Sequence, residues 1–359
     1  MALIEAGAQD APVSRWRIFP TPTFSTTRHS ESPSNEVIDV NGAVRLSDGT
    51  VVVGDNGSQS IKWFNPSGAL VRSVGRQGDG PGEYRLVKLI GTCGSDSLFV
   101  FDGANRRLSI LSLEGRLLGT RALSTDATEL RSPSEIRCSG TRQFGLLGQP
   151  RSPIPTNDVP FRSGVLVRIQ TIDGSRTVDA GTTASSERHR FGSSAGPRPL
   201  GKRSVLAVSA AWLYVGTGDS AAIEVLDLGG RRRPIQLPFE RRRISRADIN
   251  RFVDGLVRAN PRVPEATVRS LYSGLEYPSF FPAHGELLVD SDNNLWVEEY
   301  RSPGQSRSRW VIYDTGHRLL GEIQMPPRFR LLEVGRDYVL GTWTNSDDVK
   351  HVQMYRLVR

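Results

Sequence analysis

Three arginines, Arg85, Arg203 and Arg328, stand at equivalent places in a repeated pattern, each just before an apolar segment. A guanidinium group presents its N–H donors in one plane, which suits the oxygens of a carboxylate or a phosphate. Glu135 occupies the same repeat position, and Tyr84 directly precedes Arg85. The sequence therefore predicts that Tyr84, Arg85, Glu135, Arg203 and Arg328 bind an anionic ligand. The other interpretation is an internal network in which arginines and carboxylates pair with one another and close the site.

Catalytic and metal chemistry finds less support in the residue types. A zinc site needs several His or Cys ligands brought together, but the five histidines are scattered along the chain. Asp39, Asn41 and Glu135 offer oxygen ligands of the kind that calcium prefers, although their spacing is not specific. We predict no catalytic residue, no metal site and no cofactor. The alternative is a metal-assisted lyase or lactone hydrolase that uses a divalent cation such as calcium.

A short pattern of strands and tight turns recurs six times and must position these residues. The second strand of each copy begins near Val51, Leu98, Phe144, Leu213, Leu295 and Tyr338, and the third near Ile61, Leu108, Val165, Ile223, Trp310 and Val352. Apolar residues alternate in these segments, which is typical of β-strands. Such a repeat cannot bury its apolar face alone, so it must stack on its neighbours.

The sixth copy ends with the chain and lacks its outermost strand. Residues 16–19 form an isolated strand pattern well before the first copy. We predict that this N-terminal strand completes the last repeat, which removes an exposed sheet edge. The alternative is a disordered leader. Residues from 1 to about 12 are expected to be a flexible leader in a single domain spanning residues 1–359.

Two motifs resemble bacterial six-bladed β-propellers of the NHL/TolB-like kind. Residues 75–84 (GRQGDGPGEY) are similar to a blade connection common in a large, mostly uncharacterised group, and residues 290–297 (DSDNNLWV) resemble a turn and strand of NHL propellers. The resemblance implies an all-β, six-bladed β-propeller of four-stranded antiparallel blades, closed by the N-terminal strand. It also implies an extracytoplasmic location. Glu83 is predicted to pin the connection by accepting backbone N–H bonds.

Composition narrows the classes of partner. The net charge of +8 is carried almost wholly by arginine, including runs at 231–233 and 241–243. No aromatic-interleaved basic strand accompanies these runs, so we expect solvated loop charge and no nucleic acid. No apolar run is long enough to span a membrane, and residues 1–10 do not form an intact signal peptide. We expect a monomer.

The two cysteines occupy matching places near the ends of the first strands in repeats 2 and 3. A disulfide requires Cα atoms within about 7 Å, and equivalent positions in neighbouring blades tend to be farther apart. The sequence therefore favours two separate buried thiols, Cys93 and Cys138.

The long insertions all fall in loops that the repeat register assigns to one face of the propeller. One of them, residues 240–278, is predicted to be helical and to lie between the fourth and fifth blades. Ser245 and Asp248 have capping-box spacing, Asn260-Pro261 ends a first helix, and Pro264 begins a second at its first residue. Binding residues concentrate in such loops. We predict a non-enzymatic scaffold that binds a small anionic ligand or a protein on this face.

Overall fold

The computed structural model describes residues 14–29, 36–94, 96–122, 130–140, 142–150, 160–191 and 194–359. Strands account for most of the regular structure in these ranges. In chain order they are β1 (Ser14–Arg15), β2 (Arg17–Ser25), β3 (Val40–Arg45), β4 (Val51–Asp55), β5 (Ser60–Phe64), β6 (Leu70–Val74), β7 (Val87–Gly91), β8 (Ser97–Asp102), β9 (Arg107–Ser112), β10 (Leu117–Ala122), β11 (Leu130–Ser139), β12 (Gln143–Pro150), β13 (Pro160–Phe161) and β14 (Gly164–Thr171).

The second half continues the same succession. Its strands are β15 (Thr177–Ala184), β16 (Arg188–Phe191), β17 (Ser194–Pro197), β18 (Val205–Val208), β19 (Trp212–Gly216), β20 (Ala222–Asp227), β21 (Arg232–Gln236), β22 (Leu287–Val289), β23 (Leu295–Glu298), β24 (Arg309–Tyr313), β25 (Leu319–Gln324), β26 (Phe329–Val334), β27 (Tyr338–Thr344) and β28 (Lys350–Val358). The helices are a 3-10 turn at Thr26–His29, α1 (Arg246–Ala259) and α2 (Glu265–Ser273).

The strands of the described ranges form seven sheets. Four sheets contain four strands in chain order: β3 to β6, β7 to β10, β11-β12-β14-β15, and β18 to β21. The fifth contains β22 to β25, with β1 added in parallel beside β25. The sixth contains β26 to β28, with β2 beside β28, and the seventh is a small sheet of β13, β16 and β17. The predicted second and third strands of all six repeats are confirmed by these assignments.

Burial falls from the second and third strands of a sheet to its fourth. In the first sheet every residue of β4 and β5 is buried, whereas β6 is largely exposed. The second sheet repeats this, with β8 buried throughout and β10 largely exposed. The inner strands are buried on both faces because they pack against neighbouring sheets, which explains why Val51, Val52 and Val53 run without a polar residue.

The first strands of the six main sheets contact one another in chain order. β3 contacts β7, β7 contacts β11, β11 contacts β18, β18 contacts β22, β22 contacts β26, and β26 contacts β3 again. This arrangement is propeller-like, and it brings residues that are far apart in the sequence around one central cavity.

The N-terminal strand β2 lies beside β28, the last strand of the sixth sheet. β2 pairs with β28 in antiparallel register, with Ile18 opposite Leu357 and Phe24 opposite Met354. Phe24 is 1% exposed. The ring of Trp16 packs edge-on against Trp296 in the fifth sheet, with centroids 5.4 Å apart. The N-terminal segment therefore contributes apolar side chains to the core around two sheets.

The prediction of two separate thiols is wrong. Cys93 and Cys138 form a disulfide, with their Cα atoms 5.2 Å apart. Cys93 lies two residues beyond the end of β7, and Cys138 lies in β11. The first strands of neighbouring sheets touch, as β7 and β11 do here. That direct contact is the reason why equivalent positions in these two sheets are close enough to be bridged.

The helical insertion lies between the fourth and fifth sheets, as predicted. Ser245 caps α1 in a capping box with Asp248, and Asn260 is its C-cap. The predicted start of the second helix is off by one residue, since Pro264 is the N-cap of α2 and precedes its first residue. α1 and α2 pack on each other, with the rings of Phe252 and Tyr272 5.9 Å apart. Neither helix, nor any other in the described ranges, has the length and apolar character needed to cross a membrane.

The small seventh sheet was not predicted. It joins β13, from the loop within the third repeat, to β16 and β17, from the crossing to the fourth sheet. Pro160 lies opposite His189, and Arg188 lies opposite Pro197. Two insertions that are separate in the sequence therefore pair with each other.

Candidate functional site

Buried aspartates at the ends of second strands fix where first strands begin. Asp55, the last residue of β4, accepts the N–H of Asp39 at 2.9 Å. Asp102, the last residue of β8, accepts the N–H groups of Arg85 and Leu86, both at 3.2 Å. Both aspartates are 0% exposed. The two aspartates therefore hold the backbone in the same way just before β3 and just before β7.

The Gly-rich crossing at 75–84 is held by Glu83, as the sequence predicted. One carboxylate oxygen accepts the N–H of Gly80 at 2.9 Å, and the other accepts two bonds from Arg76 at 2.9 and 2.7 Å. The Gly80 N–H and then Arg76 lower the pKa of Glu83 below its usual value. Gly82 has a φ of +77°, a conformation that favours glycine. The crossing is therefore a pinned structural loop.

Two predicted site residues in this crossing lie away from the cavities described below. Tyr84 is 1% exposed and packs among Val87 and Leu89. Its ring lies against Gly75, where a Cβ atom would be 2.7 Å from the ring. Arg85 is exposed and donates two hydrogen bonds of 2.6 Å to Asp79. The structure does not bring Tyr84 or Arg85 together with the other predicted residues.

The predicted residue Glu135 lines the central cavity, a space of about 470 Å³ bordered by all six first strands. Its carboxylate lies 3.1 Å from Nζ of Lys88 and 3.0 Å from Nη1 of Arg137. Burial alone would raise the pKa of Glu135, but Arg137 and Lys88 outweigh it and lower the pKa. Burial, and then Arg137, lower the pKa of Lys88 to about 8. Glu135 therefore belongs to an internal ion-pair network.

Arg203 also lines the central cavity and stands at its junction with a smaller space, which we call the side pocket. Its side chain is 61% exposed, and Nη1 lies 3.0 Å from a carboxylate oxygen of Glu286. The side pocket has a volume of about 200 Å³. Arg203, Glu286, Arg330 and Leu331 line both spaces, so the side pocket opens beside the central cavity.

Arg328 lines a third space, which we call the arginine cavity. This cavity has a volume of about 310 Å³, and its seven lining residues are Val40, Arg301, Arg328, Arg330, Thr342, Thr344 and Lys350. Four of the seven are cationic and none is acidic. Arg328 pairs with Asp348 at 2.6 Å, and Lys350 pairs with Asp39 at 3.2 Å. Within the described residues, Arg301 and Arg330 have no carboxylate within 4.0 Å of their guanidinium nitrogens.

Arg330 joins the three spaces, since it lines the central cavity, the arginine cavity and the side pocket. Sequence reasoning missed Arg330 and Arg301. Arg328 precedes β26 and has a φ of +59°, so the alternation of side chains along a strand does not relate it to Arg330, the second residue of β26. Arg301 lies in a loop after β23, where no periodic pattern predicts the direction of a side chain.

The residues suggested for a divalent cation are otherwise engaged. Asp39 pairs with Lys350, the amide of Asn41 donates to the carbonyl of Val87 at 3.1 Å, and Glu135 pairs with Lys88 and Arg137. Across the ranges that the structure describes, no three His, Cys, Asp or Glu side chains are grouped so that they could hold a metal ion.

A different cavity, of about 570 Å³, lies where the second and third sheets meet and shares no lining residue with these spaces. Its cations are already engaged. Arg168 donates two bonds to Asp179, at 2.6 and 3.0 Å, and Arg121 donates to the carbonyl of Ile172 at 3.1 Å. The arginine cavity is therefore the better candidate for an anion.

Comparisons with known proteins support the fold. No family model matches the chain, and a search of curated proteins finds no match. Among solved structures, a protein of Bacteroides fragilis NCTC 9343 whose export is predicted has a TM-score of 0.50 and 14% identity, covering 91% of this chain and 92% of its own.

Two enzymes are also among the similar structures. A gluconolactonase from Xanthomonas campestris has a TM-score of 0.48 and 13% identity, covering 89% of this chain and 87% of its own. Virginiamycin B lyase from Staphylococcus aureus has a TM-score of 0.43 and 10% identity, covering 95% and 99%. Both TM-scores are below 0.5, so nothing about the activity of this chain follows from either likeness.

Proposed function

We propose that this chain is a six-bladed β-propeller, closed by its N-terminal strand, that binds an anionic ligand without catalysing a reaction on it. The arginine cavity carries the proposal. Four cations line it with no acidic side chain in the lining, and two of them, Arg301 and Arg330, have no carboxylate partner among the described residues.

Electrostatics supports an anion in this position. Cations that converge on one concave space repel each other, although solvent weakens that repulsion here because Arg301, Arg328, Arg330 and Lys350 are all exposed. An anion that enters the space offsets the repulsion and accepts hydrogen bonds from the guanidinium groups. The charges of Arg328 and Lys350 are largely offset by Asp348 and Asp39, so Arg301 and Arg330 supply most of the uncompensated positive charge.

The predicted residues take different roles in this proposal. Arg328 borders the site, Arg330 and Arg301 provide its central cations, and Arg203 lies in the neighbouring side pocket. Glu135 forms ion pairs with Lys88 and Arg137 in the central cavity and so holds these two cations in place. Tyr84 and Arg85 hold the crossing that precedes β7, so they act on the fold and not on the ligand.

Calorimetric titration with phosphate, citrate and benzoate tests the anion site. Arg330→Gln should weaken the binding of every anion in this panel that the wild type binds, by about ten-fold, because it removes one unpaired guanidinium group. The matched control is Arg231→Gln, since Arg231 is 91% exposed and pairs with Asp227 in a turn of the fourth sheet. Binding of none of the three anions, or equal affinities in Arg330→Gln and Arg231→Gln, would contradict the proposal.

We also propose that the chain works outside the cytoplasm. The Cys93–Cys138 disulfide supports this location, since structural disulfides persist in oxidising compartments and are rare in the cytosol. The test is alkylation of the protein's thiols in its source cells, after acid quenching. Two blocked cysteines agree with the proposal, and two freely alkylated cysteines contradict it.

A further inference from the structure

The side pocket differs from the arginine cavity in the chemistry of its walls. Apolar surface comes from Val205, Pro282, Trp310 and Leu331, and the ring of Tyr300 forms a further wall. Tyr300 stacks on Phe281 with centroids 5.3 Å apart, which holds the ring in place. The volume of about 200 Å³ equals that of roughly six or seven water molecules at about 30 Å³ each. One six-membered ring fits such a space.

A single carboxyl group, that of Glu298 at the end of β23, lies in the wall without an ion-pair partner. One of its oxygens accepts the N–H of Glu286 at 3.2 Å. In the described part of the chain this is its one hydrogen bond, and no cation lies within 4.0 Å of it. Burial raises the pKa of Glu298 above its usual value, against the opposing effect of the Glu286 N–H.

A glycine makes room for this carboxyl group. A Cβ atom at position 285 would lie 2.6 Å from Oε2 of Glu298, so only glycine allows the group to occupy its place. The neighbouring His284 is fixed as well, because Nδ1 is 2.9 Å from the carbonyl of Gly285 and Nε2 accepts the N–H of Gly218 at 3.1 Å. The backbone around Glu298 is therefore set before any ligand arrives.

From these contacts we infer that the ligand is a monocyclic organic acid whose ring enters the side pocket while its carboxylate stays at Arg330 and Arg301. This inference rests on the proposed function and names the class of its ligand. Arg330 and Arg301 line both the side pocket and the arginine cavity, so they stand where the ring and the acid group would meet. Glu298, when protonated, donates a hydrogen bond to an oxygen of the ligand.

The charge around Glu298 decides how binding depends on pH. The groups that face it are Glu286 ahead of β22, Arg301 in the loop after β23, Arg330 on β26, Arg203 ahead of β18, and the fixed His284 and Tyr300. Arginines stay charged over the whole working range. When Glu298 loses its proton it ceases to donate and repels the carboxylate of the ligand. Affinity for an organic acid should therefore fall as the pH rises through the pKa of Glu298.

Titrations with benzoate, acetate and phosphate between about pH 5 and pH 9 test this inference. Benzoate should bind about ten-fold more tightly than acetate, because only benzoate places a ring in the pocket. Glu298→Gln should keep benzoate binding but lose the decline with pH, since the amide donates at every pH. Glu299→Gln is the control, because Glu299 pairs with Arg309 at 3.5 Å and should keep the wild-type pH profile.

The outcomes separate this inference from the function on which it rests. Equal affinities for benzoate and acetate, or the same decline with pH in Glu298→Gln as in the wild type, would overturn the inference. Phosphate binding that depends on Arg330 would in that case leave the anion site standing. If the wild type binds neither phosphate nor benzoate, both proposals are wrong.

Discussion

Cys93 and Cys138 join the first strands of the second and third sheets at the wall of the central cavity. The two cysteines are 45 residues apart in the sequence, and the bond closes the loop between them. Such a cross-link restricts the unfolded chain more than the folded one, which has little freedom at this point. The disulfide is therefore a source of stability between the second and third sheets, beside the central cavity.

Removing this bond should lower the free energy of unfolding. The double variant Cys93→Ser, Cys138→Ser is expected to lose about 2–4 kcal/mol, as for other disulfides that close loops of this length. Urea unfolding without reductant measures the loss, and the wild type with reductant should match the variant. Identical unfolding curves for all three samples would mean that the bond does not stabilise the protein.

The N-terminal strand should stabilise the last sheet through one buried ring. Phe24→Ala removes a side chain that is 1% exposed and packs against both β28 and the first sheet. The expected cost is about 3–5 kcal/mol, typical of a phenylalanine truncated in a core. Phe19→Ala is the control, since Phe19 is 46% exposed in the same strand. Equal melting temperatures for the two variants would contradict closure by β2.

Glu83→Ala should destabilise the protein without weakening anion binding. The ionised carboxylate holds the crossing, and its pKa is lowered in the folded state, so its contribution is complete above the usual pKa of glutamate. That contribution disappears as the pH falls through the lowered pKa. The difference in melting temperature between wild type and variant should therefore be largest near neutral pH and shrink in acid. A variant that melts like the wild type but loses anion binding would assign Glu83 to the site.

Glu333→Gln should change how stability depends on pH. Glu333 accepts the N–H of Arg45 at 2.8 Å, and burial raises its pKa from 4.5 to about 8. Between these values the unfolded chain releases a proton that the folded protein keeps, so the stability of the wild type falls as the pH rises across this window. Above about pH 8 this contribution of Glu333 to the free energy of unfolding is fully lost.

The variant carries no titrating group at position 333, so its stability relative to the wild type should rise between pH 4.5 and about 8. Urea unfolding at several pH values measures this difference. Glu224→Gln is the control, because Glu224 is 44% exposed and pairs with Arg232 on the fourth sheet. Parallel pH profiles for the wild type and Glu333→Gln would show that the carboxyl group is ionised in the folded protein.

Local patterns in the sequence determined the elements of this protein. The period-2 alternation around Val51 and Leu98 predicted strands that the structure contains, and the capping box of Ser245 predicted the start of α1. Glu83 was predicted to bond within its own crossing, and it does. These predictions succeed because their physical causes act between residues a few positions apart.

The tertiary structure decided which of these elements touch, and with them the site. The Cys93–Cys138 bond depends on how closely two first strands approach, and the spacing of the cysteines in the sequence does not contain that distance. Arg85 has an acidic partner within its own crossing, whereas Arg330 and Arg301 have none in the described part of the chain. Such pairing depends on which acidic side chains the folded chain brings close to each arginine, and local spacing in the sequence does not contain that information. The repeat placed Arg203 and Arg328 near the cavities, but only the packing of six sheets shows that Arg330 lies between all three.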